Sequence, residues 1–285
     1  GVQLNAVQLE MIFTHPQYRK KGLVRKQIER LHRMVDARGY DLVLLWGIPY
    51  YYRQFGYSYC VEGLATQSLP VWRVPDAPPG KSVPIGLRLA GLADIPLLAR
   101  LYPRAVAGLD VYLDRSEAHW RYLLESAKVP IFVVEAVNSG GAVGYVIQVR
   151  NKRTVHIFES SLPDQETGLA LLQLLKKDCD DFLINWPAGG TLAGLATRLG
   201  CILTRSTQWE FRIPSLSRFL MKIAPVLEKR LAGSDFRNLT TDFVLNLFTE
   251  ACLIRIAGGR IAAAKPLEFV DTSMGAEGGT LNIPP

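Results

Sequence analysis

The spacing of apolar residues along this chain predicts strands and helices in mixed order. Between residues 22 and 38 apolar side chains return at near-helical intervals among basic ones, which predicts an amphipathic helix that Gly39 ends. Short apolar segments at residues 8–13 and 42–46 predict strands before and after that helix. A single helical turn closed by a glycine should follow, and then another strand. The pattern therefore indicates an α/β unit in this part of the chain.

The same periodicities predict a second mixed unit and a smaller tail. Five prolines fall in the fifteen residues 70–84, which favours a linker over 71–84. A hairpin follows at 131–149, because alternating segments flank the turn residues 138–141. The other predicted elements are a strand at 87, helices at 94–101, 116–127, 165–182 and before Gly200, strands at 154–159, 183–186, 207–213, 243–248, 252–256 and 260–264, and a helix at 216–231.

Composition places the chain among ordinary globular proteins, with 48% hydrophobic and 21% charged residues. Apolar stretches fall far short of the roughly 20 residues of a membrane helix. The first six residues lack the basic and apolar features of a signal peptide, so we expect a cytoplasmic protein without a membrane span. The four cysteines form no C-x-x-C pair, and we interpret them as buried thiols without a metal site.

The net charge of +7 is concentrated rather than spread. Nucleic acid, an anionic membrane surface and a small anionic ligand would each suit a basic protein. The basic residues crowd into one turn and the helix after it, which favours a compact, phosphate-rich ligand over nucleic acid. They are Arg19, Lys20, Lys21, Arg25, Lys26, Arg30 and Arg33.

A candidate phosphate loop lies between the first strand and the first helix. Its sequence is Arg19-Lys20-Lys21-Gly22-Leu23. Backbone amides at a helix N-terminus, with a glycine that permits close approach, hold a diphosphate, and basic side chains add to the attraction. A solvated basic helix start is the simpler alternative, but the order of strand, loop, glycine and helix favours phosphate binding.

This segment resembles the acetyl-coenzyme A signature of the general N-acetyltransferase (GNAT) superfamily, R-x-x-G-x-G/A. Val24 departs from the small residue that ends the pattern, but the run from Arg19 to Arg25 is similar to the form found in Eis-like (enhanced intracellular survival) acetyltransferases. The resemblance implies acetyl-coenzyme A as cosubstrate and no metal. It also implies that backbone groups of Phe13 and Thr14 hold the pantetheine arm, and that Arg19, Lys20, Lys21, Gly22, Leu23 and Val24 hold the diphosphate.

A second motif, Tyr52-Arg53-Gln54-Phe55-Gly56-Tyr57, resembles the Y-x-x-F-G-Y/F element of the same family. The element places a tyrosine beside the cofactor sulfur, and Tyr52 is the matching position. A phenol of pKa about 10 can give its proton to a departing thiolate, whose thiol has a pKa of about 8.5. Tyr50 and Tyr51 match the pattern less well. The alternative for Tyr52 is a core aromatic packed beside Phe55.

The resemblance extends over nearly the whole chain and implies three domains. We expect residues 1–70 to be the C-terminal half of a catalytic domain whose upstream part is missing, 85–213 a second, degenerate copy, and 214–285 an incomplete sterol-carrier-like domain. The fold class is then α/β (α+β): tandem GNAT-like mixed sheets flanked by helices, plus a small α+β domain. The second copy has neither basic residues nor a glycine at 160–164, and Thr197 stands where the tyrosine would be, so we interpret it as structural.

The resulting hypothesis is an N-acetyltransferase that moves an acetyl group from acetyl-coenzyme A to a primary amine by direct attack, with Tyr52 as general acid. The acceptor is an amine-bearing small molecule or a lysine side chain, and the resemblance implies a homo-oligomer. The alternative is a non-catalytic scaffold, or a protein that binds lipid or another apolar ligand in its sterol-carrier-like domain.

Overall fold

The computed structural model describes residues 1–62, 65–80, 82–186, 190–204, 208–247, 250–268 and 281–282. The chain divides into two compact units. One comprises Gly1–Val61 with Gln208–Pro285, and the other comprises Glu62–Thr207.

The helices are α1 (Leu23–Arg38), α2 (Ile95–Ala105), α3 (Glu117–Glu125), α4 (Gln165–Leu175), α5 (Thr191–Arg198) and α6 (Leu216–Ala232). The strands are β1 (Ala6–Leu9), β2 (Leu42–Leu45), β3 (Ser58–Glu62), β4 (Ala65–Pro70), β5 (Ile85–Leu89), β6 (Ile131–Ala136), β7 (Ala142–Asn151), β8 (Thr154–Ser161), β9 (Asp181–Trp186), β10 (Ile202–Leu203), β11 (Gln208–Arg212), β12 (Thr241–Asn246), β13 (Ala251–Ala257), β14 (Arg260–Leu267) and β15 (Leu281–Asn282).

The first unit contains a mixed sheet in the order β1-β2-β11-β3. Its strands β1 and β2 are parallel, and α1 connects them as a crossover helix. The apolar stripe of α1 packs onto the sheet, where Ile28 and Val35 join Val43 and Leu45 in one core. Gly39 ends the helix in the left-handed conformation with φ 70°. The predicted helix is confirmed, and it begins at Leu23.

The second unit contains a sheet in which the described strands run β10-β4-β9-β8-β7-β6-β5. Strands β8 and β9 are parallel, and the other pairs are antiparallel. The proline-rich segment predicted as a linker carries Val74, which lies in the core of this unit. Lys176 donates a hydrogen bond to its carbonyl at 2.8 Å. The prolines restrict the backbone conformation of this segment, and its apolar side chains pack it against the core of the second unit.

The tail residues form a sheet in the order β14-β13-β12-β15 with α6 packed against it. This layer lies in the same compact unit as the first sheet. Lys222 on α6 pairs with the buried carboxylate of Asp41 at 2.5 Å, and Arg218 donates to the Tyr40 carbonyl at 2.9 Å. Polar contacts thus tie α6 to the segment that leads into β2.

Several element boundaries differ from those predicted. The first strand ends at Leu9 rather than at residue 13, because Met11 adopts a left-handed backbone with φ 57° that cannot continue a strand. The long helix predicted for 165–182 ends at Leu175, and β9 begins at Asp181 after Asp178 with φ 53°. Strand β11, predicted in the second unit, pairs with β2 of the first unit. Strands β4 and β10 were not predicted.

No helix in the described part of the chain is long and apolar enough to span a membrane.

Candidate functional site

Two loops of the first unit begin at the same edge of its sheet. Strands β1 and β2 are parallel, and their pairing ends at Leu9 and Leu45, so the loops that follow them leave from neighbouring strand ends. Both loops contain non-glycine residues with a left-handed backbone, which are Met11, Lys20 and Tyr50. Such conformations cost about 1–3 kcal/mol each and concentrate at ligand-binding sites. This edge is therefore the candidate site.

The loop after β1 presents backbone amides at the N-terminus of α1. Gly22 precedes the helix with φ 68°, and Lys20 has φ 61°, so two left-handed residues flank Lys21. Turns of this kind point successive N–H groups outward and bind anions. Within the described residues no side chain caps the helix, and no acidic residue lies in its first turn. The structure thus leaves the positive end of the helix dipole free for an anion.

The basic side chains surround this turn and are exposed. Arg19 folds back on its own loop, where its Nε donates to the Thr14 carbonyl at 3.2 Å. Lys21 Nζ lies 5.3 Å from the centre of the Tyr18 ring. The exposed members of the set are Arg19, Lys20, Lys21, Arg25 and Lys26. The loop therefore combines an uncapped helix end with a local excess of positive charge.

Arg25 joins the first turn of α1 to the short 3-10 helix Tyr52–Phe55 that follows β2. Its Nη2 donates to Gln54 Oε1 at 2.8 Å, and its guanidinium lies 5.0 Å from the centre of the Phe55 ring. The structure thereby brings the two predicted motifs together, although 27 residues separate Arg25 from Tyr52 in the sequence. The sequence pattern alone does not reveal this contact of Arg25.

Tyr52 lies in the core beneath this contact, and 6% of its surface is exposed. Its ring packs beside Ile28 and Tyr57, whereas Tyr50 is 68% exposed and Tyr51 37%. Burial raises the pKa of the Tyr52 phenol, and the neighbouring Tyr51 and Glu210 raise it further. Tyr52 therefore remains a neutral phenol over a wider pH range than a free tyrosine does.

Sequence reasoning did not single out Glu210, which lies on β11 directly opposite Leu45. The residue is 1% exposed, and neither carboxylate oxygen has a hydrogen-bond partner among the described residues. Burial raises its pKa, and the nearby Arg53 lowers it. The alternating pattern of β11 places an acid at an inward position, which is the one sequence signal that could have revealed it.

Tyr57, whose ring packs against that of Tyr52, has a polar partner on α1. His32 Nε2 on α1 and the Tyr57 hydroxyl are 3.1 Å apart. Burial raises the pKa of Tyr57 to about 12, with Tyr52 and Glu210 adding to the effect and Arg212 opposing it. Burial, together with Arg212, lowers the pKa of His32. His32 therefore has a buried partner, which the sequence could not show.

Trp46, which follows β2, lies outside the core. It is 53% exposed, and its ring lies 5.7 Å from that of Trp209. Trp46 is exposed because β2 ends at Leu45, which leaves the tryptophan beyond the sheet.

The four cysteines differ in exposure. Cys60 is exposed and Cys201 is partly exposed, whereas Cys179 and Cys252 are buried, so the interpretation of all four as buried thiols was wrong.

The second unit differs at the two corresponding positions. The N-terminus of α4 is capped by Asp164, whose carboxylate accepts from the Thr167 amide at 2.8 Å. Those hydrogen bonds lower the pKa of Asp164, so the cap is anionic and repels a phosphate. Thr197 is also occupied, because its hydroxyl accepts from Gln67 Nε2 at 2.9 Å and donates to the Ala193 carbonyl. These contacts are structural.

Comparison with known proteins connects this geometry to a family model. Residues 1–60 match an acetyltransferase (GNAT) domain. The match covers both the loop before α1 and the helix that contains Tyr52. No curated protein matches the chain.

Solved structures resemble the chain over most of its length. A conserved protein of unknown function from Enterococcus faecalis, described as a probable N-acyltransferase, is 19% identical with a TM-score of 0.70, and the match covers 100% of this chain and 70% of that one. A GCN5-related N-acetyltransferase from Anabaena variabilis is 14% identical with a TM-score of 0.64 over 94% and 69% of the two chains. Eis1 from Mycobacterium abscessus is 18% identical with a TM-score of 0.57 over 95% and 69%.

At these identities the likeness establishes the fold. The predicted fold class, mixed sheets flanked by helices in a tandem GNAT-like arrangement, is confirmed. The predicted domain boundaries and the sterol-carrier-like character of residues 214–285 stay predictions.

Proposed function

We propose that this chain transfers an acetyl group from acetyl-coenzyme A to a primary amine. The match of residues 1–60 to a GNAT domain supports the class of reaction. The observation that carries the proposal is the contact of Arg25 with Gln54 and Phe55, since it connects the Gly22 turn to the helix of Tyr52. A phosphate-binding end and a proton donor then belong to one site.

The diphosphate of the cofactor fits the loop after β1. Amides of Gly22, Leu23 and Val24 would donate to phosphate oxygens at the uncapped end of α1, and Arg19, Lys20 and Lys21 would add charge-assisted contacts. The pantetheine arm would lie along Phe13 and Thr14, which follow the end of β1. The Thr14 carbonyl already accepts from Arg19, so its amide is the group left for the cofactor.

Tyr52 would supply the proton that the leaving group needs. The amine nitrogen attacks the thioester carbon, the carbon–sulfur bond breaks, and the thiolate takes the phenolic proton of Tyr52. The nitrogen releases its extra proton to water as the amide forms, and Tyr52 takes a proton back from water before the next turnover. A phenol is protonated at neutral pH and can act as a general acid there, and burial, which raises the pKa of Tyr52, extends the protonated range to higher pH.

Turnover with a panel of primary amines tests this proposal. We expect coenzyme A release with acetyl-coenzyme A and an amine, including small polyamines and lysine peptides. Tyr52→Phe should lower kcat by about 10²–10⁴-fold, the usual contribution of a general acid, and leave cofactor affinity nearly unchanged. Tyr50→Phe is the matched control, since Tyr50 is exposed two residues away and should retain activity. Equal losses in both variants, or no turnover with any amine, would contradict the proposal.

A further inference from the structure

Glu210 is a buried acid without a hydrogen-bond partner among the described residues. Both of its carboxylate oxygens are buried, and neither has a hydrogen bond within the part of the chain that the structure describes. Leaving a buried polar group unpaired costs about 1–3 kcal/mol, and more for a charged one. An apolar residue at this inward position of β11 would avoid that cost. The acid therefore calls for a functional explanation.

The strand register places Glu210 near the end of β2 that leads to Tyr52. Residues directly opposite each other in an antiparallel pair share a face, so Glu210 lies on the same face as its partner Leu45. Leu45 and Tyr52 both border Gly47: a Cβ added there would lie 2.8 Å from Leu45 Cδ1 and 2.5 Å from Tyr52 Cδ2. Glu210 is thus opposite Leu45 on the α1 face of the sheet, and the Tyr52 ring lies beside Leu45 at the end of the same strand.

The other charged groups around Glu210 lie on β11, on α1 and in the short helix after β2. Arg212, two residues along β11, pairs with Asp36 of α1 at 3.4 Å. His32 of α1 is bonded to Tyr57, and Glu29 of the same helix acts on His32. Arg53, whose guanidinium lies 5.0 Å from the centre of the Tyr50 ring, is the cation that acts on Glu210. Tyr51 and Glu210 are the two groups that act electrostatically on Tyr52.

We propose that Glu210 is a positioning residue for the acetyl transfer, which holds Tyr52 in its protonated form until the thiolate departs. The inference rests on the proposed function, in which Tyr52 is the acid. A carboxylate beside a phenol disfavours the tyrosinate, because two negative charges would share a poorly solvated site. The thiolate that forms in the reaction is the acceptor of the proton, and because its thiol is a stronger acid than the phenol, the transfer depends on close placement of the two groups.

Tyrosine ionisation measured by ultraviolet absorbance tests the inference without reference to turnover. The titration curve of the protein minus that of Tyr52→Phe is taken in a Tyr57→Phe background, because both Tyr52 and Glu210 act on Tyr57, and the same difference is taken with Glu210→Gln added. We expect the Tyr52 curve to move to lower pH in Glu210→Gln and to stay in place in Glu210→Asp, which keeps the charge. Glu29→Gln is the matched control, because Glu29 is an exposed acid of α1. An unchanged Tyr52 curve in Glu210→Gln would overturn the proposal.

The pH dependence of kcat provides the second measurement. Its alkaline limb, where Tyr52 loses its proton, should move to lower pH in Glu210→Gln and stay unchanged in Glu29→Gln. Should Glu210→Gln fail to fold, Glu210→Met serves in its place, because it removes the charge and introduces no unpaired donor. If the unmodified protein shows no turnover, the proposed function is contradicted and the role of Glu210 in the ionisation of Tyr52 is not. If the reaction depends on Tyr52 but the Tyr52 titration curve does not move in Glu210→Gln, the role of Glu210 is contradicted and the proposed function is not.

Discussion

The ring of Tyr52 packs against the backbone of Gly47, so closely that a Cβ atom at residue 47 would lie 2.5 Å from Tyr52 Cδ2 and closer still to Cε2. Real Cβ atoms do not approach neighbours at such distances, so one of the two groups would have to move. Gly47 follows β2 and Tyr52 begins the next helical turn, so this contact fixes where the ring lies relative to the strand end. The glycine therefore sets the position of the proposed acid.

Gly47→Ala is expected to displace Tyr52. The added methyl overpacks the site, which commonly costs about 1–3 kcal/mol, and it moves the phenol away from the thiolate. We expect a lower kcat, a reduced free energy of unfolding and little change in coenzyme A affinity. Gly86→Ala is the control, because a Cβ at residue 86 meets nothing within 4 Å. Full activity in Gly47→Ala would show that the ring position is unimportant.

Gly22→Ala separates cofactor binding from stability. Gly22 has φ 68° and open space for a methyl group, so the substitution adds backbone strain of about 1–2 kcal/mol without a clash. Gly39 at the other end of α1 has φ 70° and equally open space. Both alanine variants should lose similar stability in urea denaturation, but only Gly22→Ala should weaken coenzyme A binding in calorimetry. Equal affinities in the two variants would remove the turn from the site.

The ion pair of Arg115 and Glu159 is expected to stabilise the second unit only as a complete pair. The two side chains are joined by two hydrogen bonds of 2.7 Å, the Tyr145 hydroxyl donates to the same carboxylate at 2.7 Å, and the guanidinium stacks on Tyr102 and Trp120. Glu159→Gln leaves a largely buried guanidinium without its counter-charge, which typically costs about 3–5 kcal/mol.

A double variant provides the control for that pair. Arg115→Met with Glu159→Met removes both charges and should be more stable in thermal denaturation than Glu159→Gln alone. A double variant less stable than the single one would mean that packing, rather than charge, dominates. In neither case do we expect coenzyme A binding to change, since we interpret the second unit as structural.

Glu210 is expected to make the stability of the protein fall with rising pH. Burial raises its folded-state pKa above the ordinary 4.5, so the folded chain binds that proton more tightly than the unfolded chain does. The contribution is complete below pH 4.5 and is lost as pH rises through the folded-state pKa. The difference in unfolding free energy between Glu210→Met and the unmodified protein should therefore grow in favour of the variant from pH 4 to pH 8. Glu29→Gln should show no such trend, and a constant difference for Glu210→Met would contradict the prediction.

The local pattern was sufficient for the elements whose signals lie in neighbouring residues. The stripe of α1, the stop at Gly39 and the turn closed by Gly56 were predicted and are present, because helical periodicity and the left-handed preference of glycine are local properties. The hairpin of β6 and β7 belongs to the same group. Ends of elements were predicted less well, as at Met11 and Asp178, where non-glycine residues take a left-handed backbone.

The sequence by itself determined the two motifs, the uncapped basic start of α1 and the α/β pattern of the chain, since each depends on residues close together along it. Only the tertiary structure decided that β11 pairs with β2, and thus that Glu210, more than 150 residues after Tyr52, lies opposite Leu45 at the end of the strand that leads to Tyr52. Strand pairing depends on which edges meet after the chain has collapsed, and a five-residue strand carries little information about its partner. The same collapse determined that Arg25 reaches Gln54 and brings the two motifs together.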